Sequence, residues 1–248
     1  MKADRRVTRK KEKKMESVTY QEKEQISDRH IWRGEAALAI AVVINSFGVV
    51  LMLYAGSGIS AVSSVPYAFS RVFDSLTLGT WTYLFQGFLV ACLMILRKRF
   101  VPEYLFSFVV GFIFGELIDF YELWINILPQ TIVCRFIYFA ASFTLFSIGI
   151  ALSNRCGLPI IPTDLFTREL ADITGVAYTR IKIVFDVMCL AATASLTFFC
   201  LGHVDGLGIG TVIAAFTLGK AVGITGRKMD KSLQFTTFLE KRQFRKAR

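Results

Sequence analysis

Residues 36–55 read AALAIAVVINSFGVVLMLYA, twenty residues without one Asp, Glu, Lys or Arg. A bilayer core about 30 Å thick is crossed by about 20 mostly apolar residues in a helix, so this run is long enough to span it. Five further runs of similar length follow at 78–96, 104–123, 132–152, 181–201 and 207–224. Helices are the form expected for all six, because an open strand in lipid leaves its N–H and C=O groups unpaired. The two-residue alternation of a transmembrane barrel strand does not run through them.

Charge is distributed around these runs. The chain is 54% hydrophobic yet carries a formal net charge of +10, and the two facts agree when the charged residues lie outside the apolar segments. Eleven Lys and Arg precede residue 34, and eight more lie from Arg227 to Arg248. If the spans alternate, the N-terminus, Arg97-Lys98-Arg99, Arg155 with Arg168, Arg180 and Lys182, and Arg227-Lys228 all fall on one side. The other side receives residues 120–131, which hold no Lys or Arg, and 202–206, which hold only His203 and Asp205. Arg71 alone dissents. The positive-inside rule then places both termini in the cytoplasm. Anionic lipid headgroups are the partner this charge implies, in preference to nucleic acid. The expected layout is a basic tail at 1–33, a membrane domain at 34–226 and a basic tail at 227–248. The first span reads as a retained anchor, since the charged stretch before it is too long for a signal n-region.

The membrane domain repeats. Gly48–Gly56 reads GVVLMLYAG and Gly149–Gly157 reads GIALSNRCG. Each is followed by a Pro-containing stretch, around Pro66 and around Pro159 and Pro162. A span with one early polar residue (Gln86, Asp186) comes next, then a span in which Gly115-Glu116 matches Gly219-Lys220. Three spans per repeat is odd, so the halves at 34–123 and 130–226 would be inverted, as in many secondary transporters. The fold expected is an all-α membrane protein of six transmembrane helices in two inverted three-helix repeats, each with a Pro-containing short or re-entrant helix.

A string in the second half resembles a known family. Cys156-Gly157-Leu158-Pro159-Ile160-Ile161-Pro162-Thr163-Asp164-Leu165 precedes Arg180, Lys182 and Asp186, then Gly206-Leu207-Gly208-Ile209-Gly210-Thr211-Val212, Ala215 and Gly219. This looks like the YczE-like branch of the YczE/YyaS/YitT family of bacterial integral membrane proteins, over about residues 36–226. The first half departs from it: the Pro-Trp-Asp-like triplet of the family's first turn is replaced by Ser63-Ser64-Val65-Pro66-Tyr67. The resemblance implies a kind of protein and no particular reaction.

Ionisable groups inside spans cost a few kcal/mol and usually face a partner or a cavity. Gln86, Glu116, Asp164, Lys182, Asp186 and Lys220 are the candidates for a substrate or ion pathway, with Asp186–Lys220 a feasible ion pair and Lys182 its competitor one turn away. Asp119 reads as solvated near a boundary. Asp164 reads as a helix N-cap or as a ligand contact at the tip of an inserted segment. Gly208, Gly210, Thr211, Ala215 and Gly219 read as small residues for close helix packing. Cys92, Cys134, Cys156, Cys189 and Cys200 show no paired spacing and read as packing residues. His30 and His203 have no nucleophile beside them, so neither catalysis nor a metal or other cofactor is expected. The function expected is a small secondary transporter of a small molecule or ion. The rival is a non-transporting membrane factor that assists a partner complex. Nothing in the pattern indicates an oligomer.

Overall fold

A computed structural model describes residues 30–236. Eight helices run through them: α1 Gly34–Tyr54, α2 Ser64–Val72, α3 Leu78–Arg97, α4 Pro102–Ile125, α5 Ile132–Ser153, α6 Pro162–Thr174, α7 Tyr178–Leu201 and α8 Ile209–Ser232. All but α2 and α6 are long and apolar enough to cross a membrane. They lie on the six expected runs; the main difference is α8, which continues beyond its apolar run to Ser232. Its polar last turns are held there by Asp230, which pairs with Arg155 at 2.5 Å. Apart from the helices, β1 (His30–Arg33) pairs in parallel with β2 (Leu233–Thr236). The rest of the two expected tails, 1–29 and 237–248, lies outside the described residues.

Local chemistry sets the helix ends. Thr77 and Thr131 cap α3 and α5 through their hydroxyls, each accepting from the backbone N–H three residues on. Pro102 and Pro162 open α4 and α6, where a missing N–H is harmless. Gly175 and Gly202, both with positive φ, close α6 and α7.

The strand pair puts the start of α1 beside the end of α8; this is the proximal end of the bundle. Tyr54 at the close of α1 donates to the Leu128 carbonyl at 2.6 Å, so the α4–α5 connection marks the distal end. Helix α1 lies at the centre: 61% of its most apolar window is buried, against 17% for α7 and 22% for α8, so the last two are the outer staves. Helix α1 packs on α4 and α5, and α5 on α8. Helix α2 packs on α3 and α7, while α6 packs on α3, α4 and α7.

In lipid the apolar outer faces gain nothing by meeting one another, and association depends on close packing. At the α1/α5 crossing, a Cβ on Gly149 would run into the Asn45 carboxamide, and one on Gly48 would touch the Phe146 ring at 3.6 Å. Between α3 and α4 the backbones themselves meet. A Cβ on Gly79 would overlap the Gly115 carbonyl oxygen, and one on Gly115 would come within 2.6 Å of the Gly79 carbonyl. Backbone cannot step aside, so Gly79→Ala and Gly115→Ala should each cost about 1–3 kcal/mol. Nothing lies within 4 Å of a Cβ on Gly219, so Gly219→Ala should be neutral or gain up to about 1 kcal/mol from helix propensity. Thermal unfolding of the three variants in one detergent checks this; equal shifts would show that the α3/α4 approach is not tight.

Candidate functional site

The polar residues converge on one helix. Along α7, Lys182, Asp186, Cys189, Thr193 and Thr197 recur at spacings of four, three, four and four, which puts them on one face. Cys189, Thr193 and Thr197 are buried, whereas Ile183, Val184, Val187, Met188 and Phe199 on the other sides are exposed, as a lipid-facing surface would be. A polar stripe thus runs most of the length of the helix on its inward side.

Helices α2 and α6 cover that stripe from opposite ends. Ser64, the first residue of α2, lies 2.8 Å from Thr193 through their hydroxyls. Thr193 is eight residues short of Leu201, so the N-terminus of α2 sits roughly 12 Å inside the distal end. The chain before α2 is fixed by the α7–α8 connection: Ile59 N–H donates to Gly206 O at 3.0 Å, and Gly210 N–H to Ser57 O at 2.8 Å. Gly58 (φ +102°) is needed in this turn, because a Cβ there would meet the Gly208 nitrogen at 2.6 Å.

The second half does the same from the proximal end. Ser107 donates to the Ile160 carbonyl, and a Cβ on Gly111 would meet Pro162 Cδ at 3.0 Å. Gly111 is nine residues beyond Pro102, so α6 begins roughly 13 Å inside the bundle. Farther along α6, Glu169 pairs with Arg97 at the proximal end of α3. Both short helices therefore leave the bundle at the end where they entered it. Their N-termini lie at different levels along α7, near Thr193 and near Asp186.

At the α6 level, Lys182 Nζ lies 3.1 Å from Asp186 Oδ1, an ion pair whose angles fall short of a hydrogen bond. Asp164, in the first turn of α6, is within electrostatic reach of both and of Arg168. The Phe166 and Phe185 rings, 5.2 Å apart, pack α6 on α7 beside them. Two carboxylates thus lie in the field of one close ammonium and of the Arg168 guanidinium, an arrangement that can take up a proton or a cation. Gln86 is buried with its Oε1 unpartnered, against Gly111 and facing the first turn of α6. Among the described residues no three metal-ligating side chains converge. A groove of about 330 Å³ between α1 and α4, walled by Leu38, Val42, Phe106 and Val110, is apolar and adds nothing to this face.

The structure brings together Asp164, Lys182 and Asp186, with Gln86 against the first turn of α6, and leaves two candidates outside. Glu116 is exposed on α4, because Gly115 beside it is committed to the α3 contact. Lys220 is exposed on α8, so Asp186 pairs with Lys182, one turn away on its own helix. Asp164 is not an N-cap: Ile161 holds that position without a side-chain bond. Of the packing residues, Gly208, Gly210 and Thr211 meet the 57–58 turn, Ala215 is partly buried and Gly219 faces open space. Asp119, expected in solvent, accepts from Thr77 Oγ1 at 2.5 Å and Gly79 N–H at 2.7 Å, and so ties α4 to the start of α3. The sequence reading also missed two ionic clusters, Arg71–Asp205 and Arg97–Glu169. The one available signal was the stray charge of Arg71 on the arginine-poor side.

A family profile matches residues 32–227, which takes in every element of this site. The chain belongs to the DUF6198 family, a family of unknown function. Searches of curated proteins and of solved structures gave no match.

Burial raises the Asp164 carboxyl above its ordinary value of 3.8, with Lys182 and Arg168 pulling it down and Asp186 pushing it up. A proton held more tightly in the folded chain favours folding at low pH, and that gain is lost as pH climbs through the folded-state value. The wild type should therefore lose stability over the range above about pH 4, and Asp164→Asn should flatten that part of the profile. Unfolding temperatures across pH in one detergent test it; an unchanged slope in the variant would clear Asp164 of the effect.

Proposed function

We propose that the protein is a small secondary transporter, with a polar pathway along the inner face of α7 and a coupling proton or cation at Asp164, Lys182 and Asp186. The observation that carries this reading is the pair of inserted helices whose N-termini reach the polar face of one span from opposite ends. Interrupted helices with such ends at mid-depth are how transporters of this size present backbone groups to a solute.

The inverted-repeat reading supports it. Adding four to each helix number turns the α1·α4 contact into α5·α8, α2·α3 into α6·α7, and α2·α7 into α3·α6, with α1·α5 mapping onto itself. At the α1/α5 crossing, Asn45 opposes Gly149 and Phe146 opposes Gly48. Shifting by 101 residues exchanges those two contacts, the reciprocity expected at a two-fold axis. On this reading the axis passes between the halves and the pathway lies beside it.

Placement of the termini in the cytoplasm of a bacterial plasma membrane belongs to the same proposal. It rests on the basic proximal connections, and Arg71 no longer counts against it, since Asp205 neutralises it. The kinship with the YczE-like branch is part of the proposal too, carried by the 156–165 turn and the glycines of α8.

The test uses the full chain in liposomes loaded with a pH-sensitive dye. Small metabolites and inorganic ions are added in turn under an imposed proton or sodium gradient. A solute-dependent signal is expected, falling about tenfold or more in Asp186→Asn and in Asp164→Asn. A signal that ignores both substitutions would remove the coupling role. No signal with any solute would favour the non-transporting factor, in which Lys182–Asp186 is a strut.

A further inference from the structure

Two clusters of the same chemistry stand at opposite ends of the bundle. At the distal end Arg71 Nε donates to Asp205 Oδ2 at 2.9 Å, and the Tyr67 hydroxyl donates to Oδ1 of the same carboxylate at 3.4 Å. At the proximal end Arg97 Nη2 lies 2.5 Å from Glu169 Oε2, and the Tyr104 hydroxyl donates to that same oxygen. Each cluster is one arginine, one carboxylate and one tyrosine. Arg71 is the eighth residue of α2, and Glu169 is the eighth of α6. The eighth position of each inserted helix therefore carries a charge, and the charges are opposite.

Each partner lies in the other half of the chain. Asp205 is in the connection between α7 and α8, whereas Arg97 and Tyr104 flank the connection between α3 and α4. The two ties share no residue, so one can break while the other holds. Each also closes a different part of the α7 stripe. Held by Asp205, α2 keeps Ser64 on Thr193, and the Tyr67 ring lies over Gly206, where a Cβ would overlap it. Held by Arg97, α6 keeps Asp164 and Phe166 against Lys182, Asp186 and Phe185. The pairs are partly exposed, Arg71 and Asp205 at 54% and 24% and Arg97 and Glu169 at 35% and 15%. Water can reach both, and ties of that kind open readily.

We propose that Arg71–Asp205–Tyr67 and Arg97–Glu169–Tyr104 are the distal and proximal gates of the α7 pathway, opened in turn as α2 or α6 swings from the bundle. This rests on the transport reading for the pathway's use, but access to the stripe can be read without any transported solute. With both ties formed, as here, Cys189, Thr193 and Thr197 on the stripe are buried.

Cys189 is a native reporter, buried on the stripe between Asp186 and Thr193. With Cys92, Cys134, Cys156 and Cys200 replaced by Ala, a membrane-impermeant maleimide is applied to vesicles of either orientation. Arg71→Gln or Asp205→Asn should speed Cys189 labelling about threefold to tenfold from the distal side only, and Arg97→Gln or Glu169→Gln by a like factor from the proximal side only. Arg71→Asp combined with Asp205→Arg should restore the slow rate. Hydrogen exchange on variants that keep all native cysteines gives a second reading: Arg71→Gln should loosen the amides of α2 alone, and Glu169→Gln those of α6 alone. Rates that do not change, or that rise from both sides together, would overturn the gates. Side-specific labelling without flux of any solute would keep the gates and sink the transport reading.

Discussion

Everything in this bundle depends on a constraint of the bilayer: backbone N–H and C=O groups at depth must be satisfied by the protein itself. Six helices meet it internally. The two chain segments that enter and turn back meet it only because other elements cover them. The turn before α2 gives its Ser57 carbonyl to the Gly210 N–H and takes the Gly206 carbonyl at Ile59. The segment before α6 has its Ile160 carbonyl capped by Ser107. Glycines lie where the coverage is closest, at Gly58 and at Gly111. Inserted helices, glycine positions and serine contacts are thus consequences of one requirement.

The same requirement explains why the polar face of α7 is inward. Lys182 and Asp186 would each be costly against lipid, and together they are cheaper beside Asp164 and Arg168 than anywhere on the outer surface. The outward side of α7 is free to be apolar, and it is. One helix therefore separates lipid from a polar interior, with α2 and α6 as its inner cover.

The six spans were legible because the length of an apolar run is a property of the sequence alone, and residues such as 36–55 admit one reading. The inserted helices were legible as Pro-containing interruptions in matching places. Depth and facing were harder. Glu116 and Asp119 differ by less than a turn, yet one faces outward and the other binds Thr77 and Gly79. The phase of α4 is set by the Gly79–Gly115 contact between two helices, which no single run encodes. Lys220 was a plausible partner for Asp186 by depth, but α8 presents it to the outside while Lys182 is one turn away on α7 itself. Glu169 and Asp205 carry no local signal of their roles, because their partners stand 72 and 134 residues away.

The two halves are packed differently. In the first, α3 and α4 are locked by mutual backbone approach at Gly79 and Gly115 and by the Asp119 bridge to the start of α3. In the second, α7 and α8 make no comparable contact, and a Cβ on Gly219 would meet nothing within 4 Å. A helix pair joined closely in one half and parted in the other gives the bundle two unlike sides. The polar stripe belongs to the side of the parted pair. The α3/α4 contact, in which backbone meets backbone, does not cover the stripe; the two short helices that rest on α7 do.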